Sequence, residues 1–193
     1  MKKFFVLLAF CGSVFAANAQ SEVGSITLQP KVGINLASMT DYDDSKMKVG
    51  LVAGVEAAYQ LSDALAVSAG LNYSMQGVKG DGDAKIKTEY INIPILANYY
   101  VAPGLAIKAG VQPGFLMSCK LDDGEDDVDA KDLAEKFDLS IPVGLSYEIS
   151  DFVIDARYNF GLTKVWKDLD DSKNSVISLT VGYKFGLYDT SII

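Results

Sequence analysis

The stretch FVIDARYNFGLT, from Phe152 to Thr163, changes character at every second position. One series of alternate residues is apolar, and the other is mostly polar or very small. The apolar series is Phe152, Ile154, Ala156, Tyr158, Phe160 and Leu162. A period of two predicts a β-strand whose two faces meet different surroundings. A protein with a packed polar interior and lipid around it produces this pattern. A protein with an apolar interior and water around it produces the same pattern.

Seven further stretches repeat the alternation, so the sequence predicts eight strands. Their apolar faces hold no charged residue although 22% of the chain is charged, so the pattern does not follow from composition. The predicted strands are Ile26 to Leu36, Val49 to Tyr59, Leu65 to Met75, Ile91 to Val101, Leu105 to Met117, Phe137 to Ile149, Phe152 to Thr163 and Ile177 to Phe185.

The predicted connections alternate between short and long. The short ones are Ser62-Asp63, Ala102-Pro103-Gly104 and Ser150-Asp151, which are typical of tight hairpins. The long ones are Ser38 to Lys48, Gly77 to Lys87, Cys119 to Glu135 and Lys164 to Asn174. This asymmetry is typical of outer-membrane barrels, which have short periplasmic turns and long outer loops.

The residues on the opposite face of the strands favour the first alternative, a barrel surrounded by lipid. This face is rich in Gly, Ala, Ser and Asn, which suit the crowded inside of a narrow barrel. Strands of about 11 to 14 residues match the tilted strands that cross a bilayer. Two aromatic girdles are predicted: Tyr59, Tyr99, Tyr147, Tyr183 and Phe185 near the short turns, and Tyr73, Phe115, Phe137 and Phe160 near the long loops. We therefore predict an all-β fold, an eight-stranded antiparallel up-and-down transmembrane β-barrel.

Residues 1–19 have the features of a cleaved secretory signal peptide, which leaves residues 20–193 as the barrel domain. Lys2 and Lys3 precede an apolar run, and Ala17-Asn18-Ala19 fits a cleavage site. The run is too short for a membrane-spanning helix. Cleavage would remove Cys11 and leave Cys119 without a disulfide partner in the chain.

The chain is acidic, and removing Lys2 and Lys3 would change the net charge from −8 to −10. Such a charge argues against nucleic acid as a partner, because phosphate binding needs a basic surface. Acidity of this kind is typical of soluble, mutually repelling surfaces.

Several charged residues fall on the face that would point inward, where an unpaired charge is unfavourable. We predict that they neutralise one another in a network with Arg157 and Glu56 as its main members. The predicted network is Lys31, Glu56, Lys108, Asp138, Glu148, Asp155, Arg157 and Lys184.

Four prolines fall inside predicted strands, where each lacks a hydrogen-bond donor for the ladder. We expect a β-bulge at each of them. They are Pro30, Pro94, Pro113 and Pro142.

Four segments together resemble a known family. They are RYNFGL (157–162), YINIPIL (90–96), AGVQPG (109–114) and GYKF (182–185). Their order and spacing resemble the small outer-membrane β-barrel domain family of Bacteroidetes, often labelled porin-family or PorT-family. The resemblance implies an eight-stranded barrel in the outer membrane with no assigned activity. Such barrels typically end on an aromatic residue, whereas residues 187–193 follow Gly186 here.

The sequence offers no catalytic, cofactor-binding or metal-binding residues. It contains no His, which excludes Ser-His and Asp-His catalysis and His-ligated zinc. Neither a P-loop nor a dinucleotide glycine motif is present. The acidic stretch 120–136 is interpreted as a solvated loop rather than a Ca²⁺ site, because aligning Gly124 with the EF-hand glycine puts Cys119 and Leu121 at ligand positions.

The leading hypothesis is a monomeric integral outer-membrane barrel with a structural or surface-interaction role. Its expected partners are membrane lipid, lipopolysaccharide and an extracellular ligand or protein met by the long loops. One alternative is a narrow porin or transporter for small solutes. Another is a soluble exported lipocalin-like barrel that binds an apolar ligand.

Overall fold

The strands close into an antiparallel β-barrel in the computed structural model, which describes residues 21–39, 46–79, 85–122, 127–131, 133–165 and 172–188. The strands are β1 (Ile26–Met39), β2 (Lys46–Ser62), β3 (Leu65–Lys79), β4 (Lys85–Asn92), β5 (Ile95–Ala102), β6 (Leu105–Asp122), β7 (Asp127–Asp129), β8 (Phe137–Ile149), β9 (Phe152–Lys164), β10 (Lys173–Tyr183) and β11 (Phe185–Tyr188). Neighbours pair antiparallel, and β1 also pairs with β10. The sheet therefore closes on itself, and the predicted fold class is confirmed.

The eleven strands fill eight positions around the barrel. Strands β4 and β5 share one position, β10 and β11 share another, and the short β7 only pairs with the long-loop end of β6. The prediction of one continuous strand from Ile91 to Val101 is wrong, because the strand is interrupted at Ile93 and Pro94. Several strands also continue farther into the long connections than the sequence predicted.

The prolines interrupt the ladders without forming bulges, so the expectation of a bulge at each one is wrong. Asn72 pairs with Asn92 and Ala69 with Ile95, which is the same register on both sides of Pro94. Across this gap the Gly70 N–H donates to the Pro94 carbonyl over 2.9 Å.

The other prolines follow the same rule. The ladder opposite Pro142 skips Gly110 and Val111 and then resumes in register. The ladder from β1 to β10 and β11 skips Pro30 in the same way. Pro113 lies opposite the gap at Pro94, and its carbonyl accepts from the Ile93 N–H over 2.8 Å. Because proline has no N–H to donate, the neighbouring ladder lacks hydrogen bonds at that point. The strands keep their register, so no β-bulge forms.

The outer surface is apolar and the inner surface is polar. On β9, Phe152, Ile154 and Phe160 are 55%, 42% and 50% exposed, whereas Val153 and Asp155 are 1% and 2% exposed. The same alternation runs along the other strands. An apolar surface that encircles the barrel needs lipid around it. The lipocalin-like alternative is therefore wrong, because it requires these apolar faces to point inward.

Exposed aromatic residues gather at both ends of the apolar surface, as predicted. At the long-loop end Phe115 and Phe137 are cross-strand partners with ring centroids 5.8 Å apart. At the short-turn end Phe152 and Tyr183 are partners at 5.2 Å. Side chains of this type occupy the two interfaces of a bilayer.

The tail is partly integrated into the barrel. Residues Phe185–Tyr188 form β11 and pair with the start of β1. The closing strand therefore extends past the predicted end at Phe185, and Tyr188 adds an aromatic residue near its end. Residues 189–193 and the predicted signal peptide, residues 1–19, lie outside the described residues. In the described part of the chain, no helix has the length and apolar character that spanning a membrane requires.

A charge placed on the lipid-facing surface tests this orientation. Replacing Leu179, which is 47% exposed near the middle of β10, by Lys should lower the free energy of unfolding by about 2–4 kcal/mol. The matched variant Leu61→Lys, close to a short turn, should lose only about 0–1 kcal/mol. Urea unfolding in lipid vesicles measures both values, and equal losses would contradict a bilayer around the barrel.

Candidate functional site

Five charged side chains form one cluster at mid-height in the barrel, and Glu56 receives most of its contacts. Lys31 Nζ and Arg157 Nη2 lie 2.6 and 2.7 Å from Glu56 Oε2. Lys108 Nζ lies 2.8 Å from Oε1, to which Ser68 Oγ also donates over 3.0 Å. One carboxylate is therefore bound by three cations.

Asp155 is the second carboxylate of the charge cluster. Arg157 donates to it from two nitrogens, over 2.6 Å from Nε to Oδ1 and 2.7 Å from Nη2 to Oδ2. Lys108 Nζ lies 2.9 Å from Oδ2 and so connects Asp155 to Glu56. Residues two apart on a strand share a face, which is why β9 supplies both Asp155 and Arg157. The cluster combines three cations with two carboxylates and carries one net positive charge.

Small residues make room for these side chains. A Cβ added to Gly144 would lie 2.3 Å from the Ala156 carbonyl oxygen and 2.9 Å from Arg157 Cγ. A Cβ at Gly33 would lie 2.0 Å from the Leu179 carbonyl oxygen. The inward glycines that the sequence suggested are thus positions where the neighbouring strand leaves no space for a side chain.

The predicted network of eight charges separates into three parts. The cluster contains five of them: Lys31, Glu56, Lys108, Asp155 and Arg157. Lys184 and Glu148 form a separate ion pair towards the short turns, where the Tyr100 hydroxyl also donates to Glu148 over 2.8 Å.

The prediction that Asp138 belongs to the charge network is wrong, because this carboxylate has no cation partner among the described residues. It accepts hydrogen bonds from Asn174 Nδ2 over 3.2 Å and Thr163 Oγ1 over 3.3 Å. Neutral donors therefore replace the ion pair that the sequence suggested.

Polar cavities lie on both sides of the charge cluster. The outer one, with a volume of about 20 Å³, is lined by Lys31, Asp155 and Arg157 and by side chains such as Asn72 and Asn159. The other cavity, also about 20 Å³ in volume, is lined by Glu56, Lys108 and residues nearer the short turns. The charge cluster thus lies between the two cavities and contributes side chains to the lining of both.

An apolar group that the sequence did not predict closes the outer end of the interior. We call it the outer cap, and it consists of Tyr90, Leu116, Cys119, Ala130 and Ala134, with Val78, Val165 and Ile86 packed alongside. The Ala130 N–H donates to the Cys119 carbonyl over 2.9 Å, and the Glu135 N–H to the Val165 carbonyl over 2.8 Å. These bonds hold the connection between β6 and β8 against the ends of the strands. One feature of the sequence pointed to this cap: Val78 is a large apolar residue on the inward face of β3, which otherwise carries polar or small residues.

The acidic stretch 120–136 is only partly described, since residues 123–126 and 132 lie outside the described residues. Its role as a solvated loop therefore stays a prediction. Within the described residues, no group of three or more His, Cys, Asp or Glu could hold a metal ion.

Removing one member of the charge cluster should destabilise the barrel. Arg157→Met removes both hydrogen bonds that the guanidinium group donates to Asp155. Breaking a buried ion pair of this kind reduces the free energy of unfolding by about 3 kcal/mol. Glu56→Gln should reduce it more, by about 5 kcal/mol, because three cations then face one carboxylate. Thermal and urea unfolding measure the losses.

Lys136→Met is the matched control for this experiment. Lys136 is exposed, so losing its charge should change the free energy of unfolding by less than about 0.5 kcal/mol. An unfolding midpoint for Arg157→Met that equals the wild-type value would show that the charge cluster does not stabilise the fold.

Solved barrels show the same architecture. Ail, the attachment invasion locus protein of Yersinia pestis, has 17% identity and a TM-score of 0.54, covering 85% of this chain and 100% of that one. Its complex with the heparin analogue sucrose octasulfate gives a TM-score of 0.56 at 17% identity, with the same coverage. Neisserial surface protein A has 18% identity and a TM-score of 0.56, covering 83% and 97%. At these identities the likeness concerns the fold.

No curated protein sequence matches the chain. A family model described as outer membrane protein beta-barrel domain matches residues 18–167. This match spans most of the barrel, and it agrees with the closed sheet, the apolar outer surface and the two aromatic girdles. The protein therefore belongs to the outer membrane protein beta-barrel domain family and is an integral protein of the outer membrane.

Proposed function

We propose that this barrel is a structural or surface-interaction protein that presents its long connections outside the cell and neither conducts solutes nor catalyses a reaction. The observation that carries the proposal is the filled interior. The charge cluster occupies the middle of the barrel and the outer cap occupies its outer end. The chain has no His to act as a general base, which supports a role without catalysis.

The finer assignment also belongs to this proposal. We place the chain in the Bacteroidetes porin-family or PorT-family group on the four segments that resemble it. We propose that residues 1–19 are removed as a signal peptide and that residues 20–193 form the mature barrel. A closed sheet leaves no edge for a second chain, which supports a monomer.

The charge of the connections restricts the extracellular partner. Ail was crystallised with a heparin analogue, which is strongly anionic. The connections of this chain are acidic and would repel such a ligand. We therefore propose a neutral or basic partner for them. Their acidic residues are Asp41, Asp43, Asp44, Asp81, Asp83, Asp123, Glu125, Asp126, Asp127, Asp129, Asp132, Glu135, Asp168, Asp170 and Asp171.

The porin or transporter is the second candidate function. The two polar cavities favour it, because polar side chains line space on both sides of the charge cluster. The charge cluster between them opposes it, since a hydrated solute would have to break ion pairs of 2.6 to 2.9 Å. Outer-membrane lipid and lipopolysaccharide are the partners common to both candidates.

A tag inserted into a long connection tests the proposed surface presentation. A peptide epitope between Asp81 and Gly82 should be labelled by antibody on intact cells. The same epitope between Asp63 and Ala64, in a short turn, should be labelled only after the outer membrane is permeabilised. Labelling of the second site on intact cells would contradict the proposed orientation.

Electrical recording distinguishes the proposed structural role from the alternative role as a porin. The wild-type barrel in a planar bilayer should show no steady single-channel conductance, because the charge cluster blocks the interior. A large-pore porin in the same bilayer is the positive control. Steady conductance by the folded barrel would favour the porin and contradict the structural role.

A further inference from the structure

The outer cavity meets the positively charged side of the charge cluster. Lys31, Asp155 and Arg157 line it, whereas Glu56 and Lys108 line the other cavity. Two cations and one carboxylate of the cluster therefore face the outer cavity, and one of each faces the other cavity. The net positive charge of the cluster thus lies on the side of the outer cavity.

The other buried carboxylates of the described residues do not balance this charge. Glu148 is paired with Lys184. Asp138 lies about 20 Å along β8 from Gly144, which is the cross-strand partner of Arg157. A buried charge is unfavourable unless a counter-charge accompanies it, so the cluster needs one more negative charge close to the outer cavity.

Arg157 and Lys31 have further hydrogens to donate on this side. Nε and Nη2 of Arg157 donate to Asp155 and Glu56. Its third nitrogen, Nη1, has no hydrogen-bond partner within the described residues, and Arg157 lines the outer cavity but not the other one. In the same part of the chain, the Lys31 ammonium donates only to Glu56, although it has three hydrogens.

Two asparagines direct their oxygens away from the outer cavity. Asn72 Oδ1 lies 2.3 Å from where a Cβ of Gly54 would be, and Asn92 Oδ1 lies 2.5 Å from that of Gly114. An oxygen placed against a glycine accepts a weak Cα–H hydrogen bond, which an amide nitrogen cannot do. Both asparagines line the outer cavity, so their N–H groups are the ones that face it.

The hydroxyl of Thr180 is a further donor for this cavity. Thr180 is 5% exposed, it lines the outer cavity, and its Oγ1 has no hydrogen-bond partner among the described residues. The volume of about 20 Å³ limits the size of an occupant. One water needs about 10–15 Å³, so a single small ion fits and a polyatomic or hydrated ion does not.

We propose that the outer cavity binds one monatomic, singly charged anion, chloride or bromide, against Arg157 and Lys31. The anion makes the charge cluster neutral and accepts from the donors that line the cavity. Asp155 does not prevent binding, because both of its oxygens already accept from Arg157 or Lys108. A water molecule would fill the same volume and leave the charge unbalanced. The site does not depend on which side of the membrane the long connections occupy, so it goes beyond the proposed function.

Urea unfolding of the full-length barrel in lipid vesicles tests the site, with sodium chloride replaced stepwise by sodium gluconate at constant sodium concentration. A ligand that binds only the folded state lowers the unfolding constant in proportion to its concentration above the Kd. The unfolding constant should therefore fall about tenfold for each tenfold rise in chloride above the Kd, and bromide should act in the same way. An unfolding constant that stays unchanged from about 1 mM to about 1 M chloride would overturn the proposal.

Two lysine variants distinguish a specific site from a general effect of salt. Lys31→Met leaves two cations with two carboxylates in the cluster, so its unfolding constant should not depend on chloride. Lys184→Met is the matched control, because it also removes a lysine from a glutamate but lies outside the outer cavity. It should keep the chloride dependence of the wild type. Equal dependence in the wild type and both variants would show a general salt effect and overturn the site.

Anomalous diffraction locates the anion without any variant, so the test holds even if Lys31→Met does not fold. Crystals of the wild-type barrel grown in bromide should show an anomalous peak in the outer cavity, in contact with Nη1 of Arg157. A water molecule at this position in the presence of bromide, without an anomalous peak, would contradict the proposal.

Discussion

Pairing of every backbone N–H and C=O group is the constraint on which this structure depends. Hydrocarbon offers no hydrogen-bond partner, so a spanning sheet has to close. The contact between β1 and β10 achieves closure, with nine consecutive register pairs from Lys31–Gly182 to Met39–Asn174. Closure gives each strand one face towards lipid and one towards the interior. The alternation of side chains along each strand then determines which residues lie inside the barrel.

Eight strands leave an interior that is just wide enough for side chains. Charged groups in so narrow a space are stable only when they are paired, which explains the short contacts of Glu56 and Asp155. Glycines such as Gly144 are required because the adjacent backbone lies within 2.3 Å of where a Cβ would be. The same crowded interior brings the charge cluster between the two cavities.

The period of two in the sequence was sufficient to predict eight strand positions around the barrel, their outward faces and the inward position of the five residues of the charge cluster, because these follow from local geometry. Features that depend on distant segments could not be predicted in this way. The outer cap joins Cys119 to Ala130 and Val165, which are brought together only by the folded connection between β6 and β8. Asp138 looked like the other inward charges, but its neighbours Asn174 and Thr163 turned out to be neutral. The prolines were expected to shift the register, yet both flanking ladders hold it.

The orientation of the alternating faces is the central claim, and accessibility to a quencher dissolved in lipid measures it most directly. Single cysteines at Leu179 and Thr180, in a Cys119→Ser background, carry a fluorescent label in the folded, membrane-inserted barrel. Leu179 is 47% exposed and its neighbour Thr180 is 5% exposed. The label at position 179 should be strongly quenched and the label at position 180 only weakly, because the first faces lipid and the second faces the interior. Equal quenching at both positions, or stronger quenching at position 180, would contradict this orientation.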